Sequence, residues 1–152
     1  MSKVGFIGLG IMGRPMAGHL IKGGHEVFLQ SRSGVPEELV QAGGTAKRTP
    51  REVAEAAEVI ITMVPDTPHV EGVLFGEGGV AEGLAPGKVV VDMSSIAPLA
   101  TKDFARRVNE KGCDYLDAPV SGGEVGAKNA TLTIMVGGPE AAFEKVRPLF
   151  EL

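Results

Sequence analysis

Short apolar runs recur along the chain, separated by longer stretches in which apolar positions return at helical spacing. Residues 4–7, 27–29, 59–63, 89–93, 115–116 and 132–136 read as strands. Most of these runs are continuous rather than alternating, the pattern of parallel strands covered on both faces. Between them lie helical patterns. One begins near Ile11 and stops at the pair Gly23-Gly24, a natural helix end. "TPRE" opens another: Thr49 can cap, Pro50 suits the first turn, and Glu52 completes a capping box. "PLATKDFARRVNEKG" predicts a helix from 98 to a stop at Gly112, and "PEAAFEKVRPLF" predicts a last one. Strand and helix alternate throughout, which implies right-handed crossovers and an α/β, doubly wound, mostly parallel sheet with helices on both faces.

Composition narrows the class without changing that picture. The 152 residues, 43% hydrophobic and 22% charged, suit one globular domain spanning 1–152. The formal net charge is −4 and the basic residues are dispersed, which argues against nucleic acid or an anionic membrane surface as partner. "MSKVGF" offers no signal peptide, and no apolar run approaches the roughly 18 residues of a membrane span. A soluble cytoplasmic protein is the expectation. Cys113 has no disulfide partner in the chain and reads as buried filler rather than a nucleophile. His69 reads as a loop or helix-face residue, and no spacing of His, Cys and carboxylates suggests a metal site.

The 22 glycines carry more information, because they fall between apolar runs. "VGFIGLGIMGRPMA" places Gly8, Gly10 and Gly13 in G-x-G-x-x-G spacing, directly after the first strand and at the opening of a helix. Gly8 permits the tight turn, Gly10 lets backbone approach a pyrophosphate, and Gly13 lets helix and strand pack closely. Free N–H groups and the positive end of the helix dipole lie behind them. The segment from Gly8 through Leu9, Gly10, Ile11 and Met12 to Gly13 is therefore a candidate dinucleotide cradle in a Rossmann-type sheet.

The cofactor's adenosine end should be read about 20 residues further on, where an acid commonly meets the ribose hydroxyls. "VFLQSRSG" has no acid there. Ser31, Arg32 and Ser33 offer a guanidinium and hydroxyls instead, which favours the 2′-phosphate of NADP(H) over NAD(H). Arg32 as a solvated loop residue, or one stacked on adenine, stays open. Two further loops follow strands. Met63, Val64 and Pro65 in "MVPDTPHV" could wall an adenine or ribose, with Pro65 and Pro68 stiffening the loop. Ser94 and Ser95 in "DMSSIAP" could bond a nicotinamide ribose or carboxamide, or could cap the helix before Pro98.

One more stretch, "LDAPVSGG", closes a strand with a serine and two glycines. Together with the glycine segment it resembles the β-hydroxyacid dehydrogenase family, which includes 3-hydroxyisobutyrate dehydrogenase and, more distantly, 6-phosphogluconate dehydrogenase. The first signature is carried by Gly8, Gly10, Met12, Gly13, Pro15, Met16 and Ala17, and the second by residues 117–123. Within the family, "IITMVPDTPHV" and "DMSSIAPLAT" are most similar to the tartronate semialdehyde (2-hydroxy-3-oxopropionate) reductases.

The resemblance implies a reversible NAD(P)-dependent oxidation of a small β-hydroxy acid, and a homo-oligomer for the full-length protein. By carry-over, Ser121, Gly122 and Gly123 bind the substrate carboxylate, with Ser121 also counted among the catalytic groups, while Ser95 meets the nicotinamide. A glycine pair bares backbone donors and a serine adds a hydroxyl, which is what a carboxylate needs. The family's proton-transfer lysine and its assisting asparagine stand on a long helix leading into an all-helical domain. Neither Lys128 nor Lys145 has that context. The expectation is a cofactor-binding fragment with negligible turnover, since proton transfer is worth roughly 10²–10⁴-fold, and with exposed apolar surface where the helical domain would sit. A stand-alone nucleotide-sensing or interaction module is the alternative, though such a module has no need of a carboxylate loop.

Overall fold

The computed structural model describes residues 3–9, 13–31, 34–64, 67–93, 98–117, 120–121 and 133–134. Six strands form one parallel sheet: β1 (Lys3–Ile7), β2 (Glu26–Gln30), β3 (Thr45–Ala46), β4 (Val59–Thr62), β5 (Val89–Asp92) and β6 (Asp114–Asp117). Their order is β3-β2-β1-β4-β5-β6, so the winding reverses between β1 and β4. All four residues of β4 and of β5 are buried, which is why those runs are apolar without alternation.

The helices are α1 (Gly13–Lys22), α2 (Glu37–Gln41), α3 (Pro50–Ala56), α4 (Thr67–Phe75), α5 (Val80–Gly83) and α6 (Pro98–Asn109). On one face of the sheet, Ala17 and Leu20 of α1 and Leu39 of α2 pack with Val4, Phe6, Ile61, Val91 and Leu116. On the other, side chains of α3 to α6 such as Val53, Leu74 and Phe104 pack with Ile7, Ile60, Val90 and Tyr115. The doubly wound, mostly parallel architecture expected from the run pattern is the one observed.

Local chemistry explains where the elements stop. After α1, the N–H of Gly24 reaches the Ile21 carbonyl at 3.0 Å and that of His25 reaches Leu20 at 3.3 Å, with Gly24 at φ +90°. These are the two bonds of a Schellman ending. At α3 the Thr49 hydroxyl accepts from the Glu52 N–H at 3.2 Å. The reciprocal arm of the expected capping box is shifted by one residue: Glu52 Oε2 accepts from the N–H of Arg48, at 2.9 Å, rather than from Thr49. Pro50 occupies the first turn, as expected.

Five described elements were not predicted by the pattern: α2, β3, α4, α5 and a strand at Val120–Ser121. Thr67 to Val70, read in sequence as loop, already belongs to α4. The 132–136 run is described only at β8 (Thr133–Ile134), which pairs antiparallel with β7 (Val120–Ser121) in a separate two-stranded sheet. Its companion "PEAAFEKVRPLF" lies outside the described residues.

Candidate nucleotide and substrate site

The carboxyl ends of β1 and β4 face one another across the reversal in strand order, the place where doubly wound sheets bind ligands. Gly8 leaves β1 at φ +100°, and its N–H donates to the Gln30 carbonyl at 3.0 Å. A β-carbon at Gly8 would overlap the carbonyl of Met63, and one at Gly13 would overlap the carbonyl of Gly8. Both glycines therefore do what their spacing suggested: the first makes the turn against the β4 end, and the second brings α1 onto it. Leu9 is buried beneath the turn. Gly10, Ile11 and Met12 lie outside the described residues.

Met63 and Val64 follow β4 directly and are half-buried, with the Met63 N–H held by the Ile7 carbonyl at 2.9 Å. That bond ties the proposed cofactor wall to the strand that leads into the glycine turn. Pro65 is outside the described residues. At the far side, Ser31 closes β2, half-buried, and its carbonyl accepts from Gly34 at 3.1 Å. Arg32 and Ser33 are outside the described residues, as are Ser94 and Ser95, Gly122 and Gly123. Ser121 is described as backbone of β7, opposite Thr133. The structure thus brings Gly8, Leu9, Gly13, Met63 and Val64 to one edge, with Ser31 flanking it.

Sequence reasoning missed a buried polar cluster below this edge. Asp92 ends β5 with no exposed surface. It accepts from the Thr62 hydroxyl at 3.0 Å through Oδ1 and from the Tyr115 hydroxyl at 3.2 Å through Oδ2. Thr62 is itself fully buried and Tyr115 nearly so. Burial, together with the neighbouring Asp92 carboxylate, pushes the Tyr115 phenol far above its ordinary value. Asp92 is also the register partner of Asp117 on β6, the first residue of the second signature. Desolvation raises the Asp117 carboxyl above its ordinary value. The sequence signal for this cluster was a polar residue ending each of the apolar runs of β4 and β5, Thr62 and Asp92, with Tyr115 near the start of β6.

Cys113 is buried, with its thiol 3.1 Å from the Ala85 carbonyl, in keeping with a packing role. No group of three or more potential metal ligands occurs among the described residues, and no described helix is long and apolar enough to cross a membrane. The expected exposed apolar surface is not found on the described part, where Val40 alone among large hydrophobics is exposed.

Residues 3–152 match the model of the NAD binding domain of 6-phosphogluconate dehydrogenase. The chain belongs to that family. It is 59% identical over 150 residues to the 2-hydroxy-3-oxopropionate reductase of Escherichia coli K12, covering 99% of this chain and 51% of the relative. Among solved structures, Mycobacterium tuberculosis 3-hydroxyisobutyrate dehydrogenase with L-serine superposes with a TM-score of 0.90 at 32% identity, over 99% of this chain and 51% of that one. Psf3 in complex with NADP+ and 2-OPP superposes with a TM-score of 0.89 at 31% identity, over 97% and 53%. The chain spans about half the length of the relatives it matches. These likenesses agree with the resemblance drawn from the two signatures.

Proposed function

We propose that this chain is the NAD(P)-binding domain, residues 1–152, of a cytoplasmic oxidoreductase that reversibly reduces a small semialdehyde acid, tartronate semialdehyde or a close analogue, to a β-hydroxy acid. The observation that carries the reading is the pair of close approaches at the strand reversal. Met63 against Gly8, and Gly8 against Gly13, leave room only for hydrogen at the α-carbons and keep the turn tight under a helix N-terminus. The 59% identity to a 2-hydroxy-3-oxopropionate reductase supports the choice of substrate class.

On this reading Gly8, Leu9, Gly10, Ile11, Met12 and Gly13 hold the pyrophosphate, and Met63, Val64 and Pro65 wall the cofactor. Ser31, Arg32 and Ser33 take the adenosine end, and Ser95 takes the nicotinamide side. When bound, the nicotinamide nucleotide supplies or accepts the hydride. Ser121, Gly122 and Gly123 hold the substrate carboxylate, which fixes the carbonyl for attack, and Ser121 also counts among the catalytic groups. The missing acid after β2 and the presence of Arg32 favour NADP(H), with NAD(H) the second choice. Proton transfer falls to a lysine of the family's helical domain, which residues 1–152 do not match. That domain also completes a homo-oligomer.

Fluorescence titration of the purified chain with NADPH and NADH tests the reading. Binding with Kd well below about 1 mM is expected, tighter for NADPH, with negligible oxidation when tartronate semialdehyde is added. No binding of either nucleotide at millimolar concentration would overturn the nucleotide site. Turnover near an ordinary enzymatic rate, on the order of 1–10 per second, would overturn the assignment of proton transfer outside these residues.

A further inference from the structure

We propose that Arg48, two residues past the end of β3, is a second determinant of nucleotide choice and meets the 2′-phosphate of NADP(H). The inference rests on the NADP(H) reading above and adds to it a residue from a different strand.

The register of β2 and β3 places Arg48 there. Phe28 pairs with Thr45 and Leu29 with Ala46, and the Lys47 N–H continues the ladder to the Leu29 carbonyl at 2.7 Å. The Gln30 side-chain amide then reaches toward the Arg48 carbonyl at 3.5 Å. Lys47 and Arg48 thus run alongside Gln30 and Ser31, at the carboxyl end of the strand where the adenosine ribose is read in such sheets.

The charges around this edge leave Arg48 available. Lys47 is half-buried and lies over the Phe28 ring, 5.6 Å from its centre, so its charge is turned to the sheet face. Arg48 is exposed, and among the described residues its guanidinium holds no carboxylate. The carboxylates of α2 and of the first turn of α3 each hold a partner other than this guanidinium. Glu52 accepts the Arg48 backbone N–H, Glu38 pairs with Arg14 at 3.4 Å, and Glu37 accepts from Gln41 at 3.3 Å. A guanidinium that holds no carboxylate among the described residues, beside a ribose site, suits a phosphate dianion, which accepts two parallel N–H bonds from one fork.

Titrations of NADPH and NADH against wild type, Arg48→Ala, Arg48→Lys and Arg51→Ala separate the possibilities. Arg51 is an exposed cation three positions along, paired with Glu55, and serves as the control for bulk charge. Arg48→Ala should weaken NADPH about five- to tenfold, as expected of one solvent-accessible charge-assisted contact, and leave NADH within about twofold. Arg48→Lys should fall between, because lysine keeps the charge without the fork. Arg51→Ala should match wild type. The same loss for NADH and NADPH in Arg48→Ala, or the same loss in Arg51→Ala, would overturn the assignment of Arg48 while leaving NADP(H) preference standing. Equal affinity of wild type for the two nucleotides would overturn both. Because the Arg48 backbone N–H survives substitution, thermal unfolding should be close to wild type.

Discussion

The Tyr115 hydroxyl donates to Asp92 Oδ2 at 3.2 Å, joining the end of β5 to β6 beneath the ligand edge. Asp92 has no solvent contact, so this bond and that from Thr62 stand in for water around a buried carboxylate. In the chain, Met63–Val64 come directly after β4, Ser94–Ser95 come after β5, and the DAPVSGG segment starts at the last residue of β6. The cluster therefore ties the ends of β4 and β5 to the body of β6, the three strands from which parts of the proposed site depart.

Tyr115→Phe should destabilise the chain by about 1–3 kcal/mol, the usual cost of removing one partner from a buried polar group. Urea unfolding measures it. Tyr115 is the chain's single tyrosine, and there is no Trp, so near-ultraviolet tyrosinate absorbance reports on this residue alone. Its folded pKa is raised above the unfolded value of 10.0. The stabilisation linked to the protonated phenol is thus complete below about pH 10 and is lost as pH rises beyond it. Tyrosinate should appear only together with loss of circular dichroism. Ionisation of a still-folded chain near pH 10 would contradict the buried geometry.

Gly8→Ala and Gly24→Ala both force alanine into positive φ, yet they should differ. Gly24 has open space around its α-carbon, so the change costs about 1–2 kcal/mol and leaves nucleotide affinity alone. At Gly8 the new methyl also collides with the Met63 carbonyl, which adds to that cost and pushes the turn away from β4. NADPH affinity should fall about tenfold or more. Equal affinities for the two variants, measured by titration alongside unfolding curves, would refute the close approach.

Asp117→Asn should stabilise the chain at pH 7. Burial raises the Asp117 carboxyl above its ordinary 3.8, so its charged form is held less well in the fold than in the unfolded chain. Stability from this group is present below pH 3.8 and declines as pH rises through the higher folded value. The variant's gain in urea midpoint should accordingly appear at neutral pH and vanish toward pH 3.5 or so. A variant less stable than wild type at pH 7 would show that the carboxylate is favourably held instead.

Much of this was legible in the chain because its causes are local. Continuous apolar runs marked the strands that are covered on both faces, Gly23-Gly24 marked the end of α1, and Thr49 and Pro50 marked the start of α3. Most of the elements that escaped notice are short, α4 with its nine residues being the exception. α5 spans four residues and β3 two, too few to establish a period, and β3 is an exposed edge without an apolar run. Its position became meaningful only when pairing with β2 set Lys47 and Arg48 beside Ser31.

The sequence by itself determined the layered α/β architecture, the glycine turn and the two signature segments, since each rests on periodicity or on residues within one turn of each other. Tertiary structure alone decided that β1 and β4 lie side by side at the reversal, and that the Met63 carbonyl fills the space above Gly8. It also decided that Thr62 and Tyr115, 30 and 23 residues from Asp92, share that one buried carboxylate. Contacts across strands depend on register and burial, which are properties of the whole sheet and are written in no single stretch of the chain.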